Sequence, residues 1–199
     1  MRLGLIIKVI LKLDRNTLYV NLISGPGAGK STLAAGLYWY MKTQSYNNLV
    51  IELVREYAKD LVWLGDTNLL RNQPHVTQKQ YERMTMLKDK VDIAITDSPL
   101  LLGLVYGEYP PNFIDNVIAM HKEFLNINIF IKRNLPYEET GRLQSEKQAL
   151  EKDREIRKIY DDNHISYIDL NEADNSLFTI MKLYGIIMKE YKRMFKEDN

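Results

Sequence analysis

TLYVNLISGPGAGKST, residues 17–32, runs from an apolar, β-rich stretch through closely spaced glycines into Lys-Ser-Thr. Residues 17–24 read as a buried strand that ends in glycine. From Lys30 the apolar residues Leu33, Leu37, Tyr40 and Met41 recur at helical spacing, so a helix starts inside the glycine segment. A strand, a glycine loop and a helix in that order turn several backbone N–H groups toward the positive end of the helix and form an anion nest. Polyphosphate is its natural guest. Gly25, Pro26, Gly27, Ala28 and Gly29 would wrap it, Lys30 would reach the β- and γ-phosphates, the Ser31 hydroxyl would ligate magnesium, and Thr32 would bond a phosphate oxygen. ATP and Mg2+ are therefore the expected cofactors. One departure stands out: the usual pattern has glycine six residues before the lysine, and Ser24 occupies that place. The competing dinucleotide fingerprint lacks its third glycine here.

Outward from this loop, apolar strands alternate with helical patterns. Residues 48–54, 91–96, 126–132 and 165–170 read as further strands. Helices are expected through Ala58, Leu61 and Trp63, from about residue 76 to Lys90, over residues 114–124 and 145–161, and over a last segment. That segment carries Leu177, Ile180, Met181, Tyr184, Ile187, Met188 and Tyr191 on one stripe. Residues 65–75, with Gly65, Asp66, Asn68, Asn72 and Pro74, read as a loop, and Ser98-Pro99 as the N-cap and first position of a helix. Five such strands predict an α/β protein with a parallel sheet covered on both faces.

Two carboxylates sit where strands end. Asp97 closes the third strand, where an acid would hold magnesium; the alternative is a helix-start charge. Glu56 follows the second strand and would point into the same crevice, to orient or deprotonate an acceptor hydroxyl, or would simply charge the start of a solvated helix. Arg55 and Lys59 flank it as surface partners. Residues 132–147, KRNLPYEETGRLQSEK, form a polar segment after a strand; Arg133 and Arg142 there are read either as arginines of a closing lid or as ordinary surface charges. His75, His121 and His164 lack metal or triad spacing, and the 13 tyrosines are scattered.

The bulk properties fit this reading. A chain of 199 residues leaves room for one core. With 27 Lys plus Arg against 26 Asp plus Glu, no strong field draws duplex DNA or an anionic membrane. The absence of cysteine removes disulfides and thiolate metal sites and suits a cytoplasmic location. The apolar run LGLIIKVILKL, residues 3–13, is interrupted by Lys8 and Lys12 and reads as an extra strand or an extension rather than a signal or a spanning helix. The expected division is residues 1–16 as this extension and 17–199 as a single domain, with a lid at about 133–147.

REYAKDLVW and IFIKRNLPYEETGRLQSEKQALEKDREIRKIYDDNHISYIDL resemble the kinase domain of NadR-type nicotinamide riboside kinases in order and spacing. GPGAGKST, EYAKDLVW and TDSPLLLGLVY in this order are similar to small ATP-binding proteins of tailed bacteriophages. The resemblance covers residues 17–170. It implies a three-layer P-loop kinase fold with strand order 2-3-1-4-5, ATP on the loop, and an acceptor between the second strand and the lid. It also implies Glu56 as the acceptor-side carboxylate, Arg142 as the lid arginine, and the host cytoplasm as location. Lys59 stands where these relatives carry arginine. The implied reaction is transfer of the γ-phosphoryl group of ATP to a nucleoside- or nucleotide-like small molecule. DNA, at a modified pyrimidine hydroxymethyl or an end, is the alternative acceptor, and a P-loop NTPase switch or binding module is the rival of a different class. The oligomeric state is left open.

Overall fold

In β1 (Leu18–Ile23) every residue is buried, which a strand achieves only when both faces of its sheet are covered. The computed structural model describes residues 16–44, 48–107, 109–134, 145–171 and 173–195. Residues 1–15 of the expected extension (1–16) and residues 135–144 of the expected lid (about 133–147), Arg142 among them, lie outside them. Around β1 stand β2 (Ile51–Val54), β3 (Ile93–Thr96), β4 (Leu125–Ile131) and β5 (Ile168–Leu170), all parallel, in the order β2-β3-β1-β4-β5. This is the three-layer α/β arrangement the sequence predicts.

Because side chains alternate along a strand, β1 feeds two cores. Leu18, Val20 and Leu22 pack with α1 (Lys30–Thr43) and α7 (Leu177–Phe195) on one face. Tyr19 and Ile23 pack on the other, with α4 (Gln73–Thr85), a 3-10 segment (Leu100–Val105), α5 (Phe113–Lys122) and α6 (Glu146–Asp162). Gly36 lets α1 and α7 approach: a Cβ there would lie 2.5 Å from Ile180 Cδ1. Asn21 also faces the second core, at 0% exposure, and its Nδ2 donates to Asn126 Oδ1 at 2.8 Å and Asn128 Oδ1 at 2.9 Å on β4. A carboxamide ladder therefore crosses this layer: Asn21 Nδ2 is doubly bonded, while its Oδ1 is buried without a hydrogen-bond partner.

Three local expectations are corrected. Residues 65–75 are not a loop: α2 (Tyr57–Leu64) is followed by the short α3 (Thr67–Arg71) and then directly by α4. The polar residues that look like loop formers are caps: Asp66 accepts from Leu69 N at 2.9 Å, Asn72 accepts from His75 N at 3.2 Å, and Pro74 occupies the first turn of α4. Ser98 is not an N-cap. Pro99 takes that position ahead of a 3-10 rather than an α-helix, and no side chain caps it. On α7 the buried residues are Thr179, Ile180, Leu183 and Ile187, while Leu177 and Met181 face outward. Among the described residues no helix is long and apolar enough to cross a membrane.

Candidate functional site

The loop between β1 and α1 turns on Gly27 at φ 82° and Gly29 at φ 83°, left-handed conformations that favour glycine. Gly29 is the N-cap of α1, and its carbonyl accepts the first helical bond from Leu33 N at 2.9 Å. No side chain caps α1, and its first turn holds no acid. The leading amides and the positive end of the helix thus face the loop's interior, which suits a bound anion. Ser31 and Thr32 lie exposed at that end.

Lys30 Nζ donates to the carbonyls of Ser24 and Gly25, each at 2.8 Å, so the ammonium is held at the loop. Burial lowers its pKa; Glu56, Asp97 and Asp153 pull it upward, and Arg133 pushes it down again. Groups from the ends of β2, β3 and β4, and from α6, therefore converge on one ammonium. Asp97 is 8% exposed at the end of β3. Glu56 occupies the N-cap position of α2, with extended φ −61° and ψ 123°, yet its carboxylate makes no capping bond. Burial raises the Glu56 pKa, Lys30 opposes this, and Asp97 adds to it. Two carboxylates, Glu56 and Asp97, thus act on one lysine, and among the described residues no group of three or more His, Cys, Asp or Glu stands together as a metal cluster.

A buried glutamine that the sequence did not single out braces this pair. Gln80, 3% exposed on α4, accepts from Tyr57 N at 3.0 Å and donates to Thr96 Oγ1 at 3.5 Å. Its contacts fall one residue from Glu56 and one from Asp97. On the outer rim Arg83 Nη2 donates to Asp60 at 2.5 Å and Nη1 to the Arg55 carbonyl at 3.2 Å, while its guanidinium lies 5.1 Å from the centre of the Tyr57 ring. Arg55 itself pairs with Asp60 at 3.9 Å, as a surface partner would.

The second residue missed from the sequence is Asp153. Its Oδ1 accepts from Gly25 N at 2.5 Å and Ser24 Oγ at 2.9 Å, and its Oδ2 accepts from Arg133 Nη2 at 3.2 Å. The sequence held a signal. On α6 the buried positions are Ala149, Ile156 and Tyr160, and Asp153 falls four residues after the first and three before the second. An acid on the inward stripe of an amphipathic helix needs a partner. Lys30, Glu56 and Asp97 thus come together as a group, Arg133 joins them through Asp153, and Arg142 lies outside the described residues. His121 is buried and takes no part in the site.

Comparisons with other proteins agree with this geometry. A family profile described as AAA domain matches residues 19–176. No curated protein matches the chain. Among solved structures, a thymidylate kinase from Ehrlichia chaffeensis superposes with a TM-score of 0.53 at 14% identity, over 86% of this chain and 98% of that one. A protein named APE1195 gives a TM-score of 0.49 at 16% identity, over 90% of this chain and 98% of its own. At 14% identity the likeness to the thymidylate kinase is one of fold alone.

Proposed function

We propose, from the premise that this chain belongs to the AAA domain family, that it is an ATP-dependent phosphotransferase acting on a nucleoside- or nucleotide-like small molecule. One observation carries the proposal: Glu56 and Asp97, just beyond the carboxyl ends of two neighbouring strands, both act electrostatically on Lys30 at the uncapped start of the helix that follows the third. A carboxylate here orients either an acceptor hydroxyl or a water molecule, and the labelled-ATP assay below separates the two. Glu56 in this position is suited to an acceptor hydroxyl.

In the transfer, the loop amides and Lys30 hold the β- and γ-phosphates, and their fixed charge favours the transition state. The acceptor oxygen bonds to the γ-phosphorus as the bond to the bridging oxygen of the leaving ADP breaks. The hydroxyl proton passes to Glu56. Burial raises this carboxyl toward the pKa range in which a base both accepts and returns a proton. Magnesium held by Ser31 and Asp97 would neutralise the phosphate oxygens. A protein of similar fold is a thymidylate kinase, an enzyme named for a nucleotide acceptor, and this likeness supports the reading.

The test is to incubate the protein with γ-labelled ATP, Mg2+ and a panel of nucleosides, nucleoside monophosphates, nicotinamide riboside and hydroxymethylpyrimidine-containing DNA, with Lys30→Ala as control. Label on a small-molecule acceptor that disappears with the variant is the expected result. Label on DNA would move the assignment to the alternative acceptor, and label released only as phosphate would replace it with an NTPase.

A further inference from the structure

We infer that Asp153 is a positioning residue of the phosphate site, one carboxylate on α6 that fixes the entry of the phosphate loop and the Arg133 guanidinium relative to each other. The inference rests on the phosphotransfer reading for its catalytic consequence, and on geometry alone for the clasp itself.

The argument starts from Ser24. This residue departs from the glycine usual at its position, and its hydroxyl, buried at 0% exposure, donates to Asp153 Oδ1. The same oxygen takes the amide hydrogen of Gly25 at 2.5 Å, a charge-assisted bond at the short end of its range. The loop's first two residues are thus bonded to a helix more than a hundred residues away in sequence. The fit is close: a Cβ on Gly25 would lie 2.7 Å from the Ala149 carbonyl and 2.9 Å from Asp153 Oδ1. The other oxygen, Oδ2, holds Arg133, just beyond the end of β4. The side chains of this pair are only 7% and 14% exposed, so the bridge is poorly screened by solvent. Both groups also act electrostatically on Lys30. Ser24 and Gly25 also supply the two carbonyls on which Lys30 rests. One carboxylate therefore sets the loop, the lysine's seat and an arginine together.

The two halves of the clasp can be cut separately. Asp153→Asn keeps an oxygen for Ser24 and Gly25 but turns an N–H2 group toward Arg133, whereas Asp153→Ala removes both halves. Measured on the full chain with ATP and Mg2+, Asp153→Asn is expected to lower kcat about tenfold or more while KM for ATP changes by less than about threefold. Arg133→Gln should lower kcat similarly, and the double variant should be no worse than either single one, because both remove the same bridge. Additive losses, or an Asp153→Asn enzyme with unchanged kcat, overturn the inference. A readout independent of activity is amide hydrogen exchange at Gly25. Asp153→Ala should accelerate it about tenfold or more, and Asp153→Asn should leave it within about threefold. If the wild-type protein transfers no phosphoryl group at all, the kinase reading fails. The exchange measurement still decides the clasp, which is overturned if Asp153→Ala leaves Gly25 as protected as before.

Discussion

His121 offers a measurement of how firmly the second core excludes charge. It is 3% exposed on α5, its ring lies 6.4 Å from that of Tyr160 on α6, and its own carbonyl accepts from Asn126 Nδ2 at 2.7 Å. Burial lowers its pKa to about 4, and Lys122 next to it acts in the same direction. The folded protein therefore holds His121 neutral at pH values where the unfolded chain protonates it. A depressed folded-state pKa means that the stability contribution is complete above about pH 6.5 and is lost as pH falls through about 4. The loss should be about 2 kcal/mol at pH 5, approaching roughly 3 kcal/mol below pH 4, taking 1.36 kcal/mol per unit of pKa difference. Carboxylates also titrate in this range, so the informative quantity is a difference. Urea unfolding of the wild-type protein and of His121→Gln, measured from pH 7.5 to 4.5, should give curves that converge as pH falls, because only the wild type binds the extra proton on unfolding. Parallel curves would refute the claim that this layer keeps the ring neutral.

Further outcomes follow from the site and its surroundings. The raised pKa of Glu56 means that phosphotransfer should fall away on the acid side at a pH above the ordinary carboxylate range. Glu56→Gln should lower kcat and flatten that limb while ATP still binds, as a rate–pH profile with a parallel ATP titration would check. The stability sign is opposite to that of His121: a raised carboxyl stabilises the fold most at low pH and loses that contribution as pH rises through its folded-state value, so it offsets part of the acid loss and Glu56→Gln should steepen the acid-side fall in stability. Gly25→Ala would push a methyl group to 2.7 Å from the Ala149 carbonyl, a backbone atom that cannot simply rotate away. A loss of about 1–3 kcal/mol in stability together with weaker ATP binding is expected by thermal melting and calorimetry. Gly65→Ala, left-handed at φ 71° but with open space around it, should destabilise without touching ATP affinity.

The fold was legible because its decisive signals are local. GPGAGKST can be read from eight contiguous residues, and the strands announce themselves as short apolar runs. The strand order came from resemblance, since periodicity does not say which strand lies beside which. What escaped the sequence was polar chemistry with a distant partner. Asp66 and Asn72 look like loop residues until the amides of Leu69 and His75 are seen to need acceptors. Asp153 looks like one more charge in KDREIRK, whose neighbours do form exposed helical pairs such as Lys152–Glu155 and Lys158–Asp162. Only its place on the inward stripe sets it apart, and its partners, Ser24 and Gly25, lie at the other end of the chain. Gln80 was hidden in the same way, because a buried amide bridging two backbone segments has no spacing signature.

The asparagine ladder between β1 and β4 acts as a gauge for the site. β1 carries Ser24 at its tip and β4 leads to Arg133, so the alignment of these two strands is also the spacing between phosphate loop and guanidinium. Apolar side chains alone would tolerate sliding one strand along the other by two residues, since the same faces would still meet, and the shift would be roughly 7 Å. With Asn21 opposite Asn128 and bonded to Asn126 as well, such a slide would strand carboxamides in a dry layer. Three asparagines on β1 and β4 thereby set the distance between the phosphate loop and Arg133.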